Sequence, residues 1–265
     1  MKNRTIGFKQ TGRVGRRMLS MFLAAILVFT SMDLPLTAKA ADETEGTGGE
    51  STKKELSIIT SAGSAINGKL YYELEEAAGK LIISGNGEVT REAITYNTLP
   101  WYQENWRDKI KSVEIQEGVK GYLGQWFFGN CVNLESIDMS AAGINIIGIS
   151  AFEGCTKLKE VKFPSAVYYL WSSVFKGCSA LETIEIPEAV TTIEKDAFNG
   201  CKALKSVTLS EKLGKIQENT FLSCSALEEI TIPANVTLIG KNAFNDCTVY
   251  TACMLVQCKT AAEGA

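Results

Sequence analysis

The chain has 265 residues, with 27 Lys+Arg against 30 Asp+Glu, eight cysteines and no histidine at all. Without histidine, Ser-His-Asp and Cys-His nucleophilic schemes and the usual zinc ligand sets are excluded. Beyond residue 40 the balance falls to 20 basic against 29 acidic residues, a formal charge of −9, with no basic cluster left, so nucleic acid is not an expected partner.

Residues 1–40 read as an export signal. Lys2, Arg4, Lys9, Arg13, Arg16 and Arg17 lead into the apolar run Leu19 to Phe29, and Ala38 and Ala40 flank Lys39 in an A-x-A pattern. A spanning helix needs roughly 20 apolar residues. Ser20, Thr30, Ser31 and Asp33 interrupt this run, so cleavage after Ala40 is expected, with no membrane span in the mature chain. Residues 41–50 are expected to be a flexible acidic linker. Residues 51–109 read as a small β-rich cap built on the strand pair Lys69 to Glu75 and Lys80 to Ser84, with Trp101 and Trp106 just downstream.

From residue 110 to 255 the chain repeats. Phe128, Phe152, Phe175, Phe198, Phe221 and Phe244 recur at steps of 24, 23, 23, 23 and 23, and Cys131, Cys155, Cys178, Cys201, Cys224 and Cys247 follow each by three. Three residues on comes an apolar triplet at L-x-x-I-x-I spacing, as in Leu181/Ile184/Ile186. A second apolar pair, as in Val190/Ile193, precedes the next phenylalanine. Alternation within I-x-I turns the apolar pair inward. One unit cannot bury that face alone, so the spacing predicts a β-rich, right-handed solenoid of 23-residue units with short parallel strands. Ile110/Val113/Ile115 starts the array without a phenylalanine, Tyr250/Cys253/Leu255 is a weak final copy, and residues 256–265 are a tail.

The unit LETIEIPEAVTTIEKDAFNGCKA and the stretch TFLSCSALEEITIPANVTLIGKNAFNDC resemble the bacterial surface leucine-rich repeat proteins typified by BspA, whose unit looks like LTSITIPxSVTSIGxxAFxGCxx. GKLIISGNGEVT and LPWYQENWRDKIKSVEIQEGV are similar to the N-terminal segment of exported gut-bacterial members, so the resemblance covers nearly the whole mature chain. It implies a leucine-rich repeat solenoid, secreted or on the cell surface of an anaerobic bacterium, used for adhesion to host or bacterial partners. It implies no catalytic residues and no cofactor. The sequence has no LPxTG-like sorting signal, second apolar span or added module, which leaves open whether the protein is wall-attached or freely secreted.

The repeat cysteines are expected to be free, because equivalent side chains on adjacent rungs point the same way rather than toward each other. A Cys253–Cys258 bridge stays open. Outward strand positions form two polar columns, Ser112/Ser136/Glu160/Thr183/Ser206/Glu229 and Glu114/Asp138/Lys162/Glu185/Thr208/Thr231. Glu114 beside Asp138, and Lys162 beside Glu185, are expected to be cross-strand pairs rather than a catalytic acid pair.

One unit departs from the pattern: VTTIE becomes VYYLW, placing Tyr168, Tyr169 and Trp171 at outward positions, in columns with Tyr122 and Ile146. Two readings stand, a partner-binding strip or auxiliary packing beneath a cap or loop. The sequence thus points to a non-enzymatic binding protein with a protein or glycan partner. The alternative is a structural segment of a larger wall-associated assembly with no ligand of its own.

Overall fold

Each unit folds into two short strands separated by a bend, as its two apolar pairs require. The chain divides into Met1–Leu36 and Thr37–Ala265. The computed structural model describes residues 53–57, 59–60, 63–64, 66–90 and 98–248, all in the second unit. The export signal, the linker, Tyr250/Cys253/Leu255, Cys258 and the tail lie outside the described residues. Among the described residues no helix is long and apolar enough to cross a membrane.

The chain opens with β1 (Lys54–Leu56), β2 (Ile59–Thr60), β3 (Gly63–Ser64) and the long hairpin β4 (Ile66–Glu75) and β5 (Lys80–Val89). A single helical turn, α1 (Pro100–Gln103), precedes the repeats. The first strands of the units are β6 (Ser112–Ile115), β8 (Ser136–Asp138), β10 (Glu160–Lys162), β12 (Thr183–Glu185), β14 (Ser206–Thr208) and β16 (Glu229–Ile230). The second strands are β7 (Val119–Leu123), β9 (Gly143–Ile147), β11 (Tyr169–Leu170), β13 (Thr192–Ile193), β15 (Lys215–Ile216) and β17 (Leu238–Ile239). All inter-unit pairings are parallel, and apart from a register shift between Gly121 and Tyr122 where β7 meets β9 they are in register, such as Ile184↔Val207 and Leu170↔Ile193, so that equivalent inward residues stack. The first ladder is bonded as β5-β6-β8-β10 and then β12-β14-β16, the second as β5-β7-β9-β11-β13 and then β15-β17.

The corner between successive units runs unbroken past both interruptions. Phe152, Phe175, Phe198 and Phe221 donate their N–H groups to Val174, Ala197, Thr220 and Ala243 of the next unit at 2.8–2.9 Å. Their rings stack 5.2–5.7 Å apart with interplanar angles of 21° or less, from Phe128 to Phe244. This buried column is the common element of the whole array, and its rings bury large apolar surfaces.

Two backbone columns make the corner turn. The residue two before each phenylalanine (Trp126, Ser150, Ser173, Asp196, Asn219, Asn242) has φ between 55° and 59°. The residue two after it is Asn130, Gly154, Gly177, Gly200, Ser223 or Asp246, again at positive φ. Side chains other than Gly, Asn and Asp rarely occupy that region. It explains the small and polar residues around the phenylalanine. The first period is 24 because the arm Ser140–Gly143 has one residue more than 164–166. Asp138 accepts from Ser140 N–H and hydroxyl there (3.0 and 2.6 Å), turning the chain where the next unit uses Pro164.

The cap and the array share hydrogen bonds. β5 pairs with β6 through Lys80–Ile83 and with β7 through Gly87–Val89, so one long strand starts both ladders. It bends at Gly85, where φ is +112° and a Cβ would collide with the Lys69 carbonyl. α1 delivers Trp101, whose ring stacks on Phe128 at 5.5 Å and 17° and extends the phenylalanine column by one member.

Five of the six repeat thiols donate to the preceding unit: Cys155 to Phe128 O, Cys178 to Phe152 O, Cys201 to Phe175 O, Cys224 to Phe198 O and Cys247 to Phe221 O, at 2.9–3.2 Å. All six described cysteines are free and buried. Burial pushes Cys131 and Cys201 up to about 12 and raises Cys155 and Cys178 as well. At the far end Cys247 is instead lowered by its hydrogen bond with Cys224. Thiolate, not thiol, is the nucleophile. Alkylation of the unfolded, unreduced chain is therefore expected to count at least six free thiols. The folded chain should label slowly, with Cys247 first; a count of two or fewer would show a disulfide-bonded ladder.

Candidate binding surface

On the outer face of β6, β8 and β10 the charges are paired. Lys80 bonds Glu114 at 2.6 Å, and Lys162 lies 3.3 Å from Asp138 and 3.5 Å from Glu160. Glu114 and Asp138 sit directly opposite each other, but each is neutralised from its far side rather than by its neighbour. The expected partnership of Lys162 with Glu185 gives way to Asp138 and Glu160, because β10 and β12 are not bonded to each other. Hydrogen bonds from Lys80 and then Gln116 hold Glu114 below the usual carboxylate range, and those from Ser140 and then Lys162 do the same for Asp138. A general acid needs the opposite shift. The shallow depression of about 160 Å³ over Ser112 and Ser136 is rimmed by Lys80, Glu114, Asp138, Glu160 and Lys162, and two of its carboxyls are shifted away from what a general acid needs.

Beside this face runs an exposed column of alternating charge. Backbone bonds stack Glu135 on Lys111 and Lys159 on Glu135, then Lys205 on Glu182 and Glu228 on Lys205. Lys205 also bonds Glu182 through its side chain at 2.7 Å. Such exposed pairs contribute little to stability singly.

The second ladder carries a different surface. Register places Tyr122, Ile146, Tyr169 and Thr192 in one outward column. Two residues along, Gly148, Trp171 and Glu194 donate their N–H groups to Leu123, Ile147 and Leu170, which aligns them as the next outward column. The Tyr122 hydroxyl reaches over Gly148, where a side chain would collide with it. Tyr169 and Trp171 meet at 5.2 Å between ring centroids, tilted by 45°. The Tyr169 hydroxyl donates to Glu194 Oε1, tying the ring to the following unit.

Four of the five residues singled out from sequence, Tyr122, Ile146, Tyr169 and Trp171, therefore form one half-buried shelf on the outer face of the second ladder. Tyr168 lies one position aside, in the column of Asn145 and Thr191, and is 42% exposed. Glu194 and Gly148 belong to the shelf as well. Sequence spacing could have found Gly148, since glycine at a position where another unit has Trp171 makes room for a ring; the diagonal reach of Tyr169 to Glu194 has no such signal.

The model of the BspA type leucine rich repeat region matches residues 121–251 in six copies. Among solved structures the chain is similar to a leucine rich cell surface protein from Faecalibacterium prausnitzii, with 24% identity, coverage of 78% of this chain and 54% of that one, and a TM-score of 0.52. It is also similar to a leucine-rich repeat protein from Bacteroides ovatus, with 23% identity, coverage of 68% and 56%, and a TM-score of 0.45. The chain spans about half the length of the F. prausnitzii structure, and that likeness is one of fold. No curated protein matches the chain.

Proposed function

This chain is a BspA-type leucine-rich repeat protein, and from that premise we propose that it is a secreted or surface-displayed binding protein, not an enzyme, that holds a protein or glycan partner on the aromatic shelf. The observation that carries the reading is the shelf itself: Tyr122, Ile146, Tyr169 and Trp171 replace small or charged residues on a sheet face whose core is already filled by Leu123, Ile147 and Leu170. Desolvated tyrosine and tryptophan are frequent binding anchors. The export signal read in residues 1–40 and the cell-surface description of the F. prausnitzii protein support the location.

Trp171→Ala combined with Tyr169→Ser is expected to leave the melting temperature almost unchanged. Partner retention should weaken by at least about tenfold, or roughly 1.4 kcal/mol. A large loss of stability with retention intact would make the aromatics packing residues. Unchanged retention at unchanged stability would favour a structural segment of a larger assembly.

A further inference from the structure

We propose that the shelf receives the ring of a neutral pyranose, making the partner a neutral glycan; this rests on the shelf being a binding surface at all. A protein segment could reach it in two common ways, and the structure suits neither. An extended peptide binds by adding a strand to a sheet edge. Here the backbone is spent from unit to unit: Tyr168 N–H on Asn145 O, Thr191 N–H on Tyr168 O, Trp171 N–H on Ile147 O and Glu194 N–H on Leu170 O, all at 3.0 Å. An amphipathic helix needs a groove with apolar walls, whereas the shelf is the outer face of a ladder, bounded by backbone at Gly148 on one side and the carboxylate of Glu194 on the other.

A pyranose matches both features. Its C–H face is apolar and flat and stacks on partly exposed rings such as those of Tyr169 and Trp171, while its hydroxyls radiate in the plane of the ring toward the rim. Glu194 accepts one hydrogen bond from Tyr169 and, as a carboxylate, has capacity for more. Hydroxyl donors to an ionised acceptor make the stronger class of hydrogen bond. The same negative charge, on a chain already acidic, disfavours uronates and sulfated or sialylated sugars. The tether from Tyr169 to Glu194 fixes the ring before the sugar arrives, which lowers the ordering cost of binding.

The test is native electrophoresis of the purified chain through gels cast with mannan, xylan, galactan, starch or hydroxyethylcellulose, and separately with acidic polygalacturonate. At least one neutral polymer should retard the chain, and polygalacturonate should not. Trp171→Ala should weaken that retardation at least about tenfold, while Trp171→Phe, which keeps a ring, should stay within about threefold of the parent. Should Trp171→Ala fail to fold, Glu194→Gln provides the comparison, since it retains the side-chain shape and removes the charge; it too should weaken retardation. Retardation by none of the neutral polymers, or by polygalacturonate in preference, overturns the glycan assignment. The shelf reading then stands or falls separately, on whether a captured protein partner is released by Trp171→Phe and Tyr169→Ser variants. Neutral-glycan retardation that both Trp171→Ala and Glu194→Gln leave unchanged overturns the two together.

Discussion

Replacing Phe198 by alanine is expected to destabilise the protein by about 3 to 5 kcal/mol, while Glu185→Ala is near neutral. Phe198 is fully buried and stacks on Phe175 at 5.5 Å and on Phe221 at 5.3 Å, so its loss opens a cavity between two rings that cannot close on each other. The site also lies where the ladders offer least support: β13 and β15 are not bonded to each other, and the corner carries continuity between those units. Glu185, by contrast, is exposed at the end of β12. Thermal melts of the two variants decide the matter, and equal melting temperatures would contradict the role given to the aromatic column.

Trp101→Ala is expected to cost a comparable amount, about 3 to 5 kcal/mol, but to act on one end of the molecule. The indole is fully buried, meets Phe127 edge-on at 5.1 Å, stacks on Phe128 and donates its N–H to the Phe127 carbonyl at 2.7 Å. Truncation leaves that carbonyl without its donor and exposes the first ring of the column. In a stacked array each unit is supported by its neighbours, so damage at a cap spreads inward from that end. Hydrogen exchange should show lost protection at the amides of Phe128 and Cys131 with protection retained at Phe221 and Cys224. Trp101→Phe should recover most of the stability. A uniform loss along the array would show that the cap and the distant units unfold as one.

What the sequence displayed most openly was whatever occupies one repeated environment. Phe152, Phe175 and Phe198 each meet the same neighbours, so one residue type serves at every copy, and the inward pairs follow the same logic. The left-handed columns were harder to see, because Gly154, Asn130, Ser223 and Asp246 meet one backbone requirement with four different residues. Trp101 sits at no repeat spacing from Phe128 and arrives by way of α1, so only the fold makes it a member of the column. The second half of β5, GNGEV, reads as a turn from its two glycines yet continues as strand into the second ladder. For the shelf, column arithmetic from Tyr122 through Ile146 to Tyr169 gave the column, whereas the register shift between Gly121 and Tyr122 within it shows only in the fold.

The charged column running through Lys111, Glu135, Lys159, Glu182, Lys205 and Glu228 gives the array a parity. Repeats encoded in tandem gain and lose copies by recombination, and the stacked phenylalanines and the backbone bonds at the corner recur from unit to unit and are indifferent to how many copies are lost. The sign of the charge is not. Excising a single internal unit, such as the one bearing Glu182, would bring Lys159 against Lys205, whereas excising two neighbours restores a Lys beside a Glu. Like charges directly opposite one another on neighbouring strands are unfavourable. Viable shortened or lengthened forms of this protein should therefore differ from it by even numbers of units more often than by odd ones.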